Sequence, residues 1–273
     1  MSEISKVFER LGGEGALIAY VMGGDPDIAT SAKVIDAVIA GGADIVEVGI
    51  PFSDPMADGR SIQAAAVRSL SSGTRPGDVL GMVASVKKNH RTPIVIMTYF
   101  NILYSPGLEK FLSEAKRSGV DGLIVPDLPL DETAEYSRIA KKYGLDIILL
   151  AAPTTTPERM RSLVSHSSGF LYLVSLLGVT GARSELKGGT ADLVRFAKSF
   201  TEGRIPLGVG FGISKPGHVR TVLESGADAV IVGSSIVNRV ASREKGDEAM
   251  LRDVENYVRS MKTATKTRRP NQT

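Results

Sequence analysis

A chain of 273 residues, 42% hydrophobic and 23% charged, carries enough apolar material for a sizeable core, and its length allows one large domain or two small ones. It has no cysteine, which excludes a disulfide framework, a thiolate nucleophile and a cysteine-ligated metal and suits a reducing cytoplasm. The net charge of +3 resides in the chain's end, where Lys262, Lys266, Arg268 and Arg269 have no acidic neighbour; the slightly acidic remainder, without Trp, lacks the wide basic surface and stacking platforms of a nucleic-acid binder.

In chain order, Ser2 to Leu11 reads as a helix. Its segment carries Glu3, Lys6 and Glu9 and no apolar h-region, so it is not a signal peptide, and no later apolar run approaches the roughly 18 residues of a membrane span. Eight short apolar runs then read as strands: Ala16 to Met22, Ile45 to Ile50, Ile94 to Tyr99, Gly122 to Pro126, Asp146 to Leu150, Phe170 to Ser175, Pro206 to Gly210 and Ala229 to Gly233. They lack alternation, as strands buried on both faces do. Between them lie helical patterns at Ile28 to Ala40, Arg60 to Leu70, Leu108 to Ser118, Glu132 to Tyr143, Pro157 to His166 and Lys215 to Ser225. Val34, Ile35, Val38 and Ile39 share one face of the first, and Gly41, Gly119, Gly144 and Gly226 stand at helix ends. Eight strands alternating with helices predict an α/β fold, a single (β/α)8 TIM barrel with the extra N-terminal helix across its bottom. An open Rossmann or flavodoxin-like sheet fits the strand number less well and lacks GxGxxG after the first strand. The barrel is expected to span residues 1–263, with 264–273 a disordered basic polar tail.

In such a barrel the chemistry sits at the C-terminal ends of the strands. Glu47 lies within an otherwise apolar strand; pointing inward, it would be desolvated and able to give and take a proton, whereas pointing outward it would be a buried Glu paired with a base. Asp58, eleven residues on, either caps the following helix or faces the mouth. Gly208-Val-Gly-Phe-Gly-Ile-Ser214 follows the seventh strand, and Val232-Gly-Ser-Ser235 follows the eighth and opens a short helix. These turns lie where barrels bind phosphate; tight turns that need Gly for their backbone angles are the plainer reading. The loop Ser175 to Arg183 reads as a mobile lid. His90, His166 and His218 fall on helices and read as surface residues, so no metal site is expected. No strand interior carries a lysine suited to Schiff-base chemistry.

The run Glu47-Val-Gly-Ile-Pro-Phe-Ser-Asp-Pro-Met-Ala-Asp-Gly59 resembles the signature of the tryptophan synthase α subunit family. The likeness continues through Gly23 to Pro26, Met97 to Asn101, Gly178 to Gly181, Gly210 to Ile213 and Gly233 to Val237. The resemblance implies a lyase that splits indole-3-glycerol phosphate into indole and glyceraldehyde 3-phosphate by retro-aldol cleavage. It implies Glu47 as the proton-transfer residue, Asp58 as acceptor of the indole N–H, and Tyr172 beside Glu47. Tyr20, Met97, Tyr99, Phe211 and Ile231 would wall the indole pocket, and Gly181, Gly212, Gly233, Ser234 and Ser235 would hold the phosphate. Gly178 and Thr180 would belong to the lid, Thr180 bonding Asp58. The family further implies a cytoplasmic chain without its own cofactor, joined through Asp54, Pro55 and Asn101 to a pyridoxal-phosphate β subunit in an α2β2 heterotetramer. Leu176 stands where many bacterial members have a basic residue. Alternatives are a stand-alone indole-releasing lyase, a different phosphate-sugar barrel enzyme, and a silent allosteric partner of a β subunit.

Overall fold

The strands of the chain, seen in a computed structural model that describes residues 1–174, 189–210 and 212–266, are β1 (Ala16–Met22), β2 (Ile45–Gly49), β3 (Ile94–Met97), β4 (Gly122–Ile124), β5 (Asp146–Ile148), β6 (Leu150–Ala151), β7 (Leu171–Val174), β8 (Leu207–Gly210) and β9 (Ala229–Val232). All pairings are parallel, in the order β5-β4-β3-β2-β1-β9-β8-β7-β6. The fifth expected strand is thus two short ones separated by Leu149. Its first part pairs with β4 and its second with β7, so one stretch of chain joins both ends of the sheet and brings the ring to eight staves.

The helices are α1 (Glu3–Leu11), α2 (Ile28–Ala40), α3 (Arg60–Ser71), α4 (Pro76–Val86), α5 (Phe100–Tyr104), α6 (Leu108–Arg117), α7 (Thr133–Lys142), α8 (Pro157–His166), α9 (Gly189–Thr201), α10 (Pro216–Glu224), α11 (Ser234–Ala241) and α12 (Asp247–Thr265). Local chemistry sets several boundaries. The Asp27 side chain accepts the Thr30 N–H at 2.8 Å to cap α2, and Pro157 occupies the first turn of α8 behind its Thr156 cap, where no proline N–H is missed. Gly119, Gly144 and Gly226 follow α6, α7 and α10 with φ of +84°, +66° and +107°, a region that favours glycine. After α2 that role belongs to Gly42, at φ +98°, rather than Gly41.

Successive strand residues face opposite ways. Leu17, Ala19, Val46, Val48, Ile94, Ile96, Val230 and Val232 pack outward against the helices. Ala16, Ile18, Ile45, Val95, Ile124, Ile148, Phe170 and Ile231 fill the interior, and Ile4 and Val7 of α1 close it from below. The bottom rim is held by a repeated clasp. Asp44 accepts the Leu17 N–H and the Lys262 ammonium, each at 2.7 Å. Asp121 does the same with Ile94 (2.9 Å) and Lys87 (3.0 Å), and Asp228 with Leu207 (2.6 Å) and Lys198 (2.8 Å). Each clasp ties a strand, its neighbour and a helix together.

Helix α12 includes Ala264 and Thr265, both buried, so the barrel's last helix extends two residues into the segment assigned above to the tail. Residues 267–273 lie outside the described residues.

Candidate active site

The alternation that fills the barrel also decides where Glu47 points. Ile45 faces the interior, so Glu47, two residues on in β2, faces it as well, level with Tyr20 on β1 and Val95 on β3. Its side chain is 1% exposed, and Oε2 has no hydrogen-bond partner. Burial, and secondarily the charge of Asp58, push its pKa up to about 8. The reading of Glu47 as a base-paired buried carboxylate is set aside, since no lysine or arginine reaches it among the described residues.

Asp58 arrives on the loop between β2 and α3. The cap position of α3 is Gly59, which makes no side-chain capping bond, so Asp58 is not the cap. The Gln63 amide holds the loop by donating to the Asp58 carbonyl at 2.9 Å. Tyr99 anchors the same loop from the end of β3. Its ring stacks on Phe52 at 5.0 Å, and its hydroxyl accepts the Ala57 N–H at 3.0 Å. That acceptor role leaves the Tyr99 proton to turn toward the Asp58 carboxylate. Burial raises Asp58 to about 6, and the Tyr99 hydroxyl moderates the rise.

Two glycines make room for two tyrosines. A Cβ on Gly49 would collide with the Tyr20 hydroxyl, and one on Gly210 with the Tyr172 hydroxyl. Tyr20 and Tyr172 have their pKa values raised by burial and by the charges of Glu47 and Asp58. These four side chains therefore lie near one another at the barrel's mouth, Glu47, Tyr20 and Tyr172 buried and Asp58 half-buried. Ile231 lines that space from β9, and Met97, half-buried, lies between the interior core and the small cluster containing Tyr20.

On the other side of the mouth, Gly212 has φ +74°, and Gly233 caps α11, whose first residues are Ser234 and Ser235. Both turns leave adjacent parallel strands. Gly178, Thr180, Gly181 and Phe211, with Leu176, lie outside the described residues. Asp54 and Asn101 are exposed and Pro55 half-buried on the rim. Beside them sequence reasoning passed over Met56 and gave no separate place to Tyr104, 90% and 68% exposed. For Met56 the available signal was a long apolar side chain in a loop that also carries Ser53, Asp54 and Asp58. Of the histidines, His218 is buried rather than on the surface; its Nδ1 lies 3.4 Å from the Ser214 N–H. Among the described residues no group of acidic or histidine side chains is arranged to hold a metal ion.

A family model described as tryptophan synthase alpha chain matches residues 9–266. The chain belongs to the tryptophan synthase alpha chain family. The alpha chain of Methanoregula boonei is 45% identical over 264 residues, covering 97% of this chain and 98% of that one. That of Arabidopsis thaliana is 43% identical, covering 96% and 94%. Among solved structures, the tryptophan synthase A-subunit of Pyrococcus furiosus superposes with a TM-score of 0.85 at 38% identity, covering 91% of this chain and 98% of that one. Tryptophan synthase alpha chains are lyases of tryptophan biosynthesis, and membership implies a β-subunit partner. No described helix is long and apolar enough to cross a membrane.

Proposed function

We propose that the site around Glu47 and Asp58 cleaves indole-3-glycerol phosphate to indole and glyceraldehyde 3-phosphate. The observation that carries this reading is a pair of carboxyl groups whose surroundings separate their protonation states. At neutral pH, Glu47, near 8, holds its proton, while Asp58, near 6, is ionised.

The chemistry needs that combination. Glu47 gives its proton to indole C3, which becomes sp3, and the positive charge moves to the ring nitrogen. The Asp58 carboxylate, accepting from the indole N–H, is strengthened as that charge develops. The C3–glycerol bond then breaks. Its electron pair returns to the ring and restores indole, while the adjacent glycerol hydroxyl becomes the aldehyde and yields its proton to Glu47. The acid is regenerated, so the cycle consumes no proton and needs no cofactor in this chain. Tyr172 and Tyr20 crowd Glu47 and keep water from it. Tyr99 fixes the loop that carries Asp58. The turns at Gly212 and at Gly233 to Ser235 bind the phosphate through backbone N–H groups at the start of α11.

In this reading the mouth faces a β subunit that holds pyridoxal phosphate, in an α2β2 assembly in the cytoplasm, and Asp54, Pro55 and Asn101 with Met56 and Tyr104 form part of the contact. Release of glyceraldehyde 3-phosphate by the purified chain, with and without a β subunit, tests it. Slow release alone and much faster release with the β subunit are expected; no release in either condition contradicts the assignment.

A further inference from the structure

Ser214, at the end of the turn after β8, and Ser235, in the first turn of α11, are separated along the chain by α10 and β9, yet both meet one cluster formed by Tyr257 and Asp253 of α12 with Arg239 of α11. The Tyr257 hydroxyl donates to the Ser214 carbonyl at 3.1 Å. The Arg239 guanidinium lies flat on the Tyr257 ring, 3.7 Å from its centroid, and Nη1 donates to the Ser235 carbonyl at 2.9 Å. Asp253, one helical turn before Tyr257, pairs with Arg239 Nε at 3.2 Å. Burial raises the Tyr257 pKa, and the neighbouring Ser235 hydroxyl and Arg239 charge draw it partly back, which places the Ser235 side chain at the phenol as well. From the opposite side, His218 Nδ1 lies 3.4 Å from the Ser214 N–H and 3.3 Å from the Gly212 carbonyl.

We infer that Tyr257 and Arg239 are positioning residues that fix the spacing between the two turns forming the phosphate subsite. Neither needs to touch the substrate. The β8–β9 ladder holds the strands in register at Gly208–Ala229 and Val209–Val230, and Tyr257 with Arg239 extends that fixed separation out to the turns. Backbone N–H groups bind an oxyanion well only when they converge on it, and a shift of about 1 Å in a binding element has a large effect. The stacked arginine suits the task because a planar guanidinium covers the ring while its edge still reaches Ser235 and Asp253. The inference rests on the phosphate assignment made above and deepens it.

The test separates phosphate binding from indole binding and from stability. Binding of glycerol 3-phosphate and of indole is measured on the full chain by calorimetry, with KM and kcat for cleavage of indole-3-glycerol phosphate alongside. Tyr257→Phe keeps the ring under Arg239 and removes only the hydroxyl, with its bond to the Ser214 carbonyl and its contact with the Ser235 side chain. It is expected to weaken glycerol 3-phosphate by about tenfold, on the scale of one displaced hydrogen bond to a charged group, and to raise KM, while indole affinity and kcat stay near wild type. Arg239→Lys, which loses the flat stack, moves the same quantities in the same direction. Lys87→Met breaks the clasp at Asp121, on the bottom rim. It lowers the melting temperature without changing either affinity, so a loss of stability alone does not mimic the effect.

Unchanged glycerol 3-phosphate affinity in Tyr257→Phe overturns the inference, as does an equal loss of indole affinity, which would mean general loosening. A wild-type chain that binds glycerol 3-phosphate no better than glycerol overturns the phosphate assignment itself, and the inference with it.

Discussion

The Tyr172 hydroxyl occupies the space that a side chain on Gly210 would fill: a Cβ there would collide with it and lie 2.7 and 2.8 Å from ring atoms Cε1 and Cζ. Tyr172 cannot retreat easily, because it is buried among the interior side chains of β7 and its neighbours. Gly210→Ala is therefore expected to drive the ring toward Glu47, reduce cleavage at least tenfold and cost about 1–3 kcal/mol by overpacking. Adding Tyr172→Phe relieves only the clash with the hydroxyl, so the double variant recovers part of the stability in urea unfolding. A Gly210→Ala enzyme with wild-type activity would show that the site is looser than described.

The rate of cleavage should follow a bell-shaped pH profile. Asp58 must be ionised and Glu47 protonated, so kcat/KM rises as Asp58 loses its proton near 6 and falls as Glu47 loses its proton near 8. A rate still climbing at pH 9 would contradict the assignment of Glu47 as the acid.

Stability carries the same signature with a defined sign. The folded-state pKa of Glu47, about 8, lies above the ordinary 4.5. Between those values the folded protein keeps a proton that the unfolded chain gives up. Stability is therefore full below about pH 4.5 and falls as pH rises toward 8; the loss at pH 7 is on the order of 3 kcal/mol. Asp58 acts in the same direction over a lower range, so the comparison that isolates Glu47 is with Glu47→Gln. That variant should match wild type near pH 4.5 and be the more stable protein at pH 8. Parallel stability curves for the two would place Glu47 in a wetter site.

The bottom-rim clasps predict a purely structural effect. Asp228→Ala leaves the Leu207 N–H and the Lys198 ammonium without that carboxylate. It should cost about 2–3 kcal/mol, the scale of a broken, largely buried charged hydrogen bond, with indole binding unaltered. A change under about 0.5 kcal/mol, the range of ordinary surface substitutions, would show that the clasp is ornamental.

Much of this was legible in the sequence because barrel strands announce themselves. Ala229 to Gly233, uniformly apolar, and Ile45 to Ile50, apolar but for Glu47, each bounded by turn residues, read correctly as strands buried on both faces. Helices with a polar outer face, such as α2, also read correctly. Helix α4 was not read, because Val79, Leu80, Met82, Val83 and Val86 leave little polar contrast to reveal a period. The break at Leu149 depends on how the ring closes, a property of the whole sheet. At the site, the motif from Glu47 to Gly59 singled out both carboxyls as candidates, but their direction was open until the inward position of Ile45 fixed that of Glu47 and Gly59 took the cap of α3. The contacts joining Ser214, Ser235, Arg239 and Tyr257 have no signature along the chain, since α12 meets the turns only in three dimensions. The clasps do have one, in Gly42-Ala-Asp44, Gly119-Val-Asp121 and Gly226-Ala-Asp228, and its meaning appears once each Asp is seen against the neighbouring strand.

That a buried, protonated Glu47 drives the cleavage is tested most directly by single-turnover release of glyceraldehyde 3-phosphate from indole-3-glycerol phosphate by wild type and Glu47→Gln at pH 7. Gln matches the neutral acid in shape but has no proton to give, so the account predicts a loss of about 100-fold or more, the usual scale for a general acid–base group, with the fold and glycerol 3-phosphate affinity intact. Cleavage by Glu47→Gln within a few-fold of wild type would contradict it.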